Sequence, residues 1–494
     1  MKYIDNFLNS ITMYRLVLYG LILMAAVSVL FGFMGLLPFG GFELIVSSVV
    51  LVTACYLLNY LFSTIYRTPR NNESSLITGL ILFFVVLPAH NISTLLILIA
   101  ASALAMASKY VLAVRGKHLF NPTAISVVIL GVLGLASSAW WVASPYIAPF
   151  VIIIGLLIVR KIRRFSMFFT FVLASLFSIS LSGYLTSAPL FGRLVEIAIS
   201  WPLIYFATFM LTEPLTTPPT RKLQMVYGAI IGILFGSQFR FGPVYSTPEL
   251  ALVIGNIFSF LVSPKQSLRL KFQKKVALGA DTYDYSFLPD QKLRYSPGQY
   301  LEWTLSYPHP DSRGNRRYFT VASSPTEKEL KLGVKISSQQ SSGFKKSLLA
   351  MNKGDEIFAS QLAGDFVLPQ DKNVKLAFVA GGIGITPFRS MIRYLMDNNQ
   401  RRDIVLFYTA ATADGFVYKD LLEKAKTIGL KPIYVPTNEM GRLTPDIIRK
   451  EALDYQQRIF YLSGPNAMVT SYKKLLLGLG VKRKNIVTDY FPGY

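Results

Sequence analysis

Between Tyr14 and Ser263 apolar runs follow one another with only brief polar breaks, and this narrows what the chain can fold into more than any other feature. The hydrocarbon core of a bilayer is about 30 Å thick and takes roughly 20 apolar residues per helix. Ten candidate spans fit the runs, at 14 to 36, 42 to 65, 75 to 88, 92 to 112, 122 to 141, 146 to 160, 165 to 185, 195 to 211, 225 to 241 and 247 to 263. From Pro264 onward Lys, Arg, Asp and Glu return at the density of a water-soluble protein. The expected division is a polytopic helical membrane domain over 1–263, a basic linker over 264–275 and a water-soluble half beyond it. Composition agrees, since 52% hydrophobic residues and a mean hydropathy of +0.42 are too apolar for an ordinary soluble chain. The first run is long, lacks a small-residue cleavage site and is followed by more spans, so it reads as a retained helix.

The formal charge is +23, and its placement matters more than its size. Basic residues gather in alternate breaks: Arg67 and Arg70, Arg115 and Lys117, Arg160 to Arg164, then Arg221 and Lys222. Cytoplasmic loops carry such an excess, so the N-terminus and everything after Ser263 are expected on the cytoplasmic side of a bacterial inner or cell membrane. Orientation and contact with membrane lipid account for the charge, and no nucleic-acid partner is expected. A single cysteine, Cys55, cannot hold an iron–sulfur cluster. Three histidines (His90, His118, His309) fall short of the four that two bis-His haems need, and no metal site is expected.

Residues 276–370 read as short strands divided by turns at Tyr295 to Gly298 and Asn352 to Asp355, which suggests a small antiparallel barrel. Residues 371–494 alternate apolar strands with helices, the pattern of a doubly wound parallel sheet. Four motifs stand in this half. In RRYFTVASSP, from Arg316 to Pro325, an Arg and a hydroxyl bracket aromatics, a pairing that can hold a diphosphate and a flavin ring. By itself the stretch equally fits an edge strand with a surface Arg. In SSGFKK, from Ser341 to Lys346, Gly343, Phe344 and Lys345 open a helix whose N–H groups either cradle the same diphosphate or are simply capped. In GGIGITP, from Gly381 to Pro387, glycines follow an apolar strand and open a helix, where a nucleotide approaches the backbone. In SGPNAM, from Ser463 to Met468, another strand-to-helix turn lies on the same sheet.

In this order and spacing the four motifs resemble the ferredoxin-NADP reductase superfamily. The resemblance implies an FAD site at Arg317, Phe319 and Thr320, the R-x-Y-S/T positions, with Phe319 in place of tyrosine and Tyr318 on the opposite strand face. Ser323, Gly343, Phe344 and Lys345 would also contact FAD. Gly381, Gly382, Gly384, Thr386 and Pro387 would line a nicotinamide dinucleotide, with Gly464, Pro465 and Met468 beside it. Phe491 or Tyr494 would shield the flavin ring. No basic residue precedes Lys419 in the segment after the next strand, which favours NADH over NADPH.

In the membrane half, span three ends at Pro88 and span eight in MLTEPLTTPP, from Met210 to Pro219. Such proline-interrupted segments at corresponding places point to two inverted five-helix repeats. Glu213 is a candidate because intramembrane carboxylates are costly, and Asn121, before Pro122, either exposes backbone to a ligand or starts a helix. LITGLILFFVVLP, FNPTAISVVIL, MLTEPLTTP, VYGAIIGILFG and ELALVIGNIFSFLV together resemble the flavin-bearing membrane component common to the sodium-translocating NADH:quinone oxidoreductase and the Rnf complex. That family has ten helices and holds flavin in the membrane, including FMN on Thr of a Ser-Gly-Ala-Thr motif. Here Tyr184 and Leu185 precede Thr186, so the attachment sequence is broken and a noncovalent FMN or riboflavin is expected. Electrons would then run from cytosolic NAD(P)H through FAD and a membrane flavin to an extracytoplasmic flavoprotein or other acceptor, with partner proteins left open. The alternatives are quinone reduction at the membrane and redox-driven Na+ or H+ movement.

Overall fold

The computed structural model describes residues 2–66, 68, 71–114, 117–185, 202–263, 266–279, 281–308, 311, 314–336 and 341–491. Arg67, Arg70, Arg115, Thr186, His309 and Tyr494 lie outside the described residues. The chain forms two compact units, Met1–Gln266 and Ser267–Tyr494.

The first unit is helical. Four helices among the described residues are long and apolar enough to cross a membrane: Met13–Phe33, Gly41–Ile65, Ile92–Val111 and Phe165–Leu185. Asn72–Val85, Pro122–Val132, Ala148–Ile162, Arg221–Gly236 and Pro248–Val262 are apolar but shorter. The run expected over 122–141 stops being helical at Val132, where Gly134 takes a left-handed φ of 68°. The eighth run is described only from Pro202, with a helical turn at Leu203–Tyr205 and a π-helical stretch Phe206–Met210. Gly228, Gly232 and Gly236 recur every fourth residue on Arg221–Gly236, so one face lies against the backbone of Phe165–Leu185. A Cβ at Gly232 would stand 2.7 Å from the Phe171 carbonyl oxygen, and one at Gly236 2.7 Å from the Ile179 nitrogen. Small residues at this spacing let two helices approach in lipid.

The second unit holds two sheets. Strands β1 (Leu268–Gly279), β2 (Thr282–Pro289), β3 (Tyr300–Thr304), β4 (Arg316–Thr320), β5 (Leu330–Lys335) and β6 (Glu356–Ala363) form an antiparallel sheet in the order β4-β3-β6-β1-β2-β5. Its two edges come together beyond β4, where the Ala322 N–H donates to the Lys331 carbonyl at 2.9 Å. Much of the expected linker is in fact β1. Leu268, Leu270 and Phe272 are buried and alternate with exposed Arg269 and Lys271, a strand's period of two that the basic charge obscures.

Strands β7 (Leu376–Gly381), β8 (Ile404–Ala410), β9 (Leu430–Pro436), β10 (Ile459–Pro465) and β11 (Ile486–Phe491) form a parallel sheet in the order β9-β8-β7-β10-β11. β7 and β8 are buried along their whole length, as strands covered on both faces must be. The order reverses between β7 and β10, which places the β7 and β10 crossovers side by side, the position where such sheets bind ligands.

Candidate flavin and nicotinamide site

On β4, strand alternation puts Arg317 and Phe319 on one face and Tyr318 and Thr320 on the other. β4 is an edge strand, so a ligand laid along its free edge reaches both faces. Arg317 is 4% exposed; its Nη1 donates to the carbonyls of Gly314 at 3.1 Å and Arg316 at 2.7 Å. Its guanidinium lies 5.4 Å from the Phe344 ring centroid, and Nη2 lies 3.7 Å from Asp311 Oδ1. The other Asp311 oxygen accepts from the Gly343 N–H at 2.8 Å. Phe319 packs 5.9 Å from Phe344, and its carbonyl accepts from Trp303 Nε1 at 3.2 Å. Tyr318 turns outward and donates to Gln361 Oε1 at 3.2 Å. Arg317, Phe319, Gly343 and Phe344 thus converge, although β4 and the helix Gly343–Leu349 are far apart in sequence. Ser342 caps that helix through the N–H of Lys345.

Thr320 is buried, and its hydroxyl has no hydrogen-bond partner among the described residues. A buried hydroxyl normally has one, so Thr320 offers a polar atom to a ligand laid along β4.

Residues 322–327, which follow β4, are held by groups that no motif announces. The Ser323 carbonyl accepts from Tyr295 Oη at 2.9 Å and Ser390 Oγ at 2.5 Å. Arg389 donates to the Ala322 carbonyl at 3.1 Å and pairs with Glu327, which accepts the Ser324 N–H at 2.7 Å. Burial alone would raise the Glu327 carboxyl, but the hydrogen bond and charge of Arg389 hold it below its ordinary value. Tyr418 donates to Asp284 Oδ1 at 3.0 Å, and Thr326 to Asp397 Oδ2 at 2.5 Å. These contacts join the two sheets' subdomains and fix the end of β4 against the helix Thr386–Asp397.

The glycines of the β7 crossover have separate physical roles. A Cβ at Gly384 would stand 2.4 Å from the Ser463 carbonyl oxygen, so this residue lets the β7 and β10 crossovers touch. A Cβ at Gly381 would meet Met468, which also packs on Gly464. Gly382 has φ +52° and nothing within 4 Å of an added Cβ, which leaves open space beside the backbone. Thr386 donates to the Ile383 carbonyl at 3.1 Å, and Pro387 starts the helix where a missing N–H costs nothing. Pro465 is exposed at the end of β10, and Phe491 ends β11.

In the first unit, Asn121 and Glu213 come together. Asn121 Nδ2 donates to Glu213 Oε2 at 2.9 Å, Thr216 donates to the same oxygen at 3.1 Å, and His118 Nε2 lies 3.5 Å from Oε1. The Asn121 N–H donates to Asn256 Oδ1 at 2.7 Å, and Asn256 Nδ2 donates to Tyr227 Oη at 2.9 Å. The sequence marked Asn121 and Glu213 singly; Asn256 and Tyr227, inside apolar helices, gave no signal.

Residues 378–474 match the family model described as the oxidoreductase NAD-binding domain. The chain is similar to flavohemoprotein A of Dictyostelium discoideum, 24% identical over 44% of this chain and 58% of that protein. It is also similar to the stachydrine N-demethylase reductase subunit of Rhizobium meliloti, 26% identical over 43% of this chain and 64% of that protein. The chain therefore spans less than two thirds of these relatives' length. Among solved structures, the FAD/NAD-binding domain of nitric oxide dioxygenase from Vibrio cholerae aligns with 45% of this chain and 98% of its own, at 20% identity and a TM-score of 0.39. With the antiparallel sheet and the parallel sheet above, the family match and the relatives mark the second unit as an oxidoreductase domain whose residues 378–474 form its NAD-binding part.

Proposed function

We propose that the chain is a membrane-embedded oxidoreductase that takes electrons from cytosolic NAD(P)H through FAD and passes them, by way of a second, noncovalent flavin in the helical unit, to an acceptor across the membrane. The observation that carries the flavin reading is the buried, partnerless Thr320 hydroxyl on the edge strand that also bears Arg317. Arg317 would hold the FAD diphosphate, Thr320 would hydrogen-bond the flavin ring, and Phe319 and Phe344 would pack the apolar part. Gly382 would let the dinucleotide diphosphate reach the backbone. When bound, FAD accepts a hydride from the nicotinamide and releases electrons singly. Arg389, Ser390 and Tyr295 hold the residues after β4, so Thr320 keeps its place as the nicotinamide arrives.

The membrane reading rests on the four helices of crossing length, the basic residues of alternate breaks and the resemblance of the helical unit to the membrane component of the sodium-translocating oxidoreductase and the Rnf complex. On that reading the remaining apolar helices complete ten in two inverted repeats, and the reductase domain is cytoplasmic. NADH is preferred to NADPH because no cation precedes Lys419 after β8.

The test is flavin analysis of the purified full chain with mass spectrometry, followed by reduction with NADH. More than one flavin per chain supports the route. Arg317→Ala should weaken FAD retention, since a charged hydrogen bond contributes about 1.5 to 3 kcal/mol. Undiminished FAD in that variant, or haem in the extract, overturns the reading.

A further inference from the structure

Tyr418 ends the segment between β8 and the helix Lys419–Lys424 and has φ 60°, a left-handed conformation that a bulky residue keeps only where its surroundings impose it. The backbone there is held from both sides. The Val417 N–H donates to Tyr408 Oη at 3.2 Å, and the Tyr418 carbonyl accepts from the Leu421 and Leu422 N–H groups at 3.1 and 3.2 Å. The side chain leaves its own sheet and reaches the antiparallel one, where Oη donates to Asp284 Oδ1 at 3.0 Å. Arg389 lies 5.8 Å from the ring centroid. Asp284 is buried and has Lys331 Nζ at 3.5 Å from its other oxygen.

On the antiparallel sheet, Asp284 of β2 stands directly opposite Gly333 of β5. A Cβ at Gly333 would lie 3.0 Å from Tyr418 Oη, 2.7 Å from Thr386 Cγ2 and 3.4 Å from Ile383 Cδ1. Gly333 has no left-handed φ, so close contact rather than backbone conformation requires the missing side chain. The phenol and two side chains of the β7 crossover therefore rest on one glycine. Burial, and then the nearby Asp284 carboxylate, push the phenol well above its ordinary value of 10, so it stays a donor at neutral pH. β5 is in turn tied to the residues after β4: the Lys331 carbonyl accepts the Ala322 N–H at 2.9 Å, and the Lys331 N–H donates to Ser323 Oγ at 3.1 Å. Thr386 and Thr320 are thus both placed with reference to β5.

We propose that Tyr418 is a positioning residue for hydride transfer: by filling the notch over Gly333 it holds Thr386 and Ile383 of the nicotinamide crossover in a fixed place relative to Thr320 on the flavin strand. The proposal rests on the reading of this unit as an FAD reductase and adds to it a residue that touches neither cofactor. Reacting atoms must come within about 3 to 3.5 Å of each other, and a misplacement of about 1 Å costs on the order of 100-fold. A contact between the two subdomains that sets this separation therefore acts on the rate at saturation and not on affinity.

The test is stopped-flow reduction of the FAD-loaded full chain over a range of NADH concentrations, which separates the limiting rate from the NADH dissociation constant. Tyr418→Phe keeps the ring and removes the donor. Its limiting rate should fall about tenfold, with FAD content and the NADH dissociation constant within about twofold of wild type. The long-wavelength charge-transfer absorbance between nicotinamide and flavin should weaken in parallel. Gly333→Ala should show the same split. Adding Thr386→Ser to it should restore most of the lost rate, because that change removes the methyl the new Cβ strikes and keeps the hydroxyl that bonds the Ile383 carbonyl. A wild-type flavin that NADH does not bleach overturns the reductase reading and this proposal with it. A wild-type limiting rate in Tyr418→Phe, a fall in rate that follows loss of FAD, or a Gly333→Ala defect that Thr386→Ser leaves uncorrected overturns this proposal alone.

Discussion

Arg389 and Glu327 meet as a two-pronged pair, with Nη2 donating to Oε1 at 2.9 Å and Nη1 to Oε2, while the same Nη1 reaches the Ala322 carbonyl two residues past β4. A guanidinium fork matches a carboxylate in this geometry, and a lysine cannot reproduce it. The pair therefore ties the segment behind Thr320 to the helix Thr386–Asp397, which starts at the β7 crossover.

Replacing Glu327 by Gln keeps the shape but leaves the buried Arg389 without its charge partner. The expected loss is about 1 to 3 kcal/mol, toward the lower figure because part of the Glu327 side chain reaches solvent. A lower melting temperature of the FAD-loaded chain, with slower flavin reduction by NADH, is the expected outcome. An unchanged melting curve would show that Tyr295 and Ser390 hold the segment alone.

Acid should act through the same pair. The Glu327 carboxyl is held below its ordinary value of 4.5, so its contribution is complete above that value and is lost as pH falls through the lower folded value. Asp454 follows the same sign: burial opposes ionisation, but Arg458 and Lys375 bring it from 3.8 down to about 2. Unfolding of the second unit, followed by its intrinsic fluorescence, should become steeper between about pH 4.5 and 2. Glu327→Gln should flatten the upper part of that window. A Gln variant with the wild-type acid profile would remove Glu327 from the account.

Gly384 and Gly382 should respond to alanine for different reasons and by different amounts. At Gly384 the added Cβ collides with the backbone of Ser463 and Gly464, so the two crossovers must separate. Reduction by NADH should fall steeply while FAD stays bound. At Gly382 the space is open, and the cost is the left-handed φ of +52°, about 1 to 2 kcal/mol. Stopped-flow reduction of both variants at equal FAD content measures the difference, and equal rates would place the dinucleotide elsewhere.

The sequence revealed the second unit well because the β7 and β10 crossovers there are punctuated by glycine and proline, as at Gly384 and Pro387. It revealed β1 poorly, since the lysines and arginines on the exposed face suggested a linker. Tyr295, Glu327, Arg389, Ser390 and Tyr418 were not legible at all: their partners are distant in sequence, and each residue type is ordinary where it stands. In the helical unit, hydropathy marked the runs but not their helical length, because the ends are set by Asn121, Gly134 and similar local breaks within apolar sequence.

The last prediction concerns the Asn121 to Glu213 hydrogen bond in the helical unit. If electrons cross the membrane, positions beyond FAD on the route should affect transfer to a far-side acceptor and leave the reductase reaction intact. Asn121 and Glu213 fit that requirement, because they belong to the first unit: their own hydrogen bond joins the 118–121 segment to the 213–217 segment, Thr216 bonds the same Glu213 oxygen, and Asn256 ties Asn121 to the helix Pro248–Val262. Proteoliposomes with the reductase domain outward receive NADH outside and a trapped, membrane-impermeant ferric acceptor inside. Asn121→Ala or Glu213→Ala should slow reduction of the trapped acceptor about tenfold or more, since a charged hydrogen bond contributes about 1.5 to 3 kcal/mol. The rate with an artificial acceptor outside should stay at the wild-type value. A parallel fall in both rates would place the two residues in folding rather than on the route. An acceptor that stays oxidised inside, while a lipid-soluble quinone is reduced, would make the chain a quinone reductase instead.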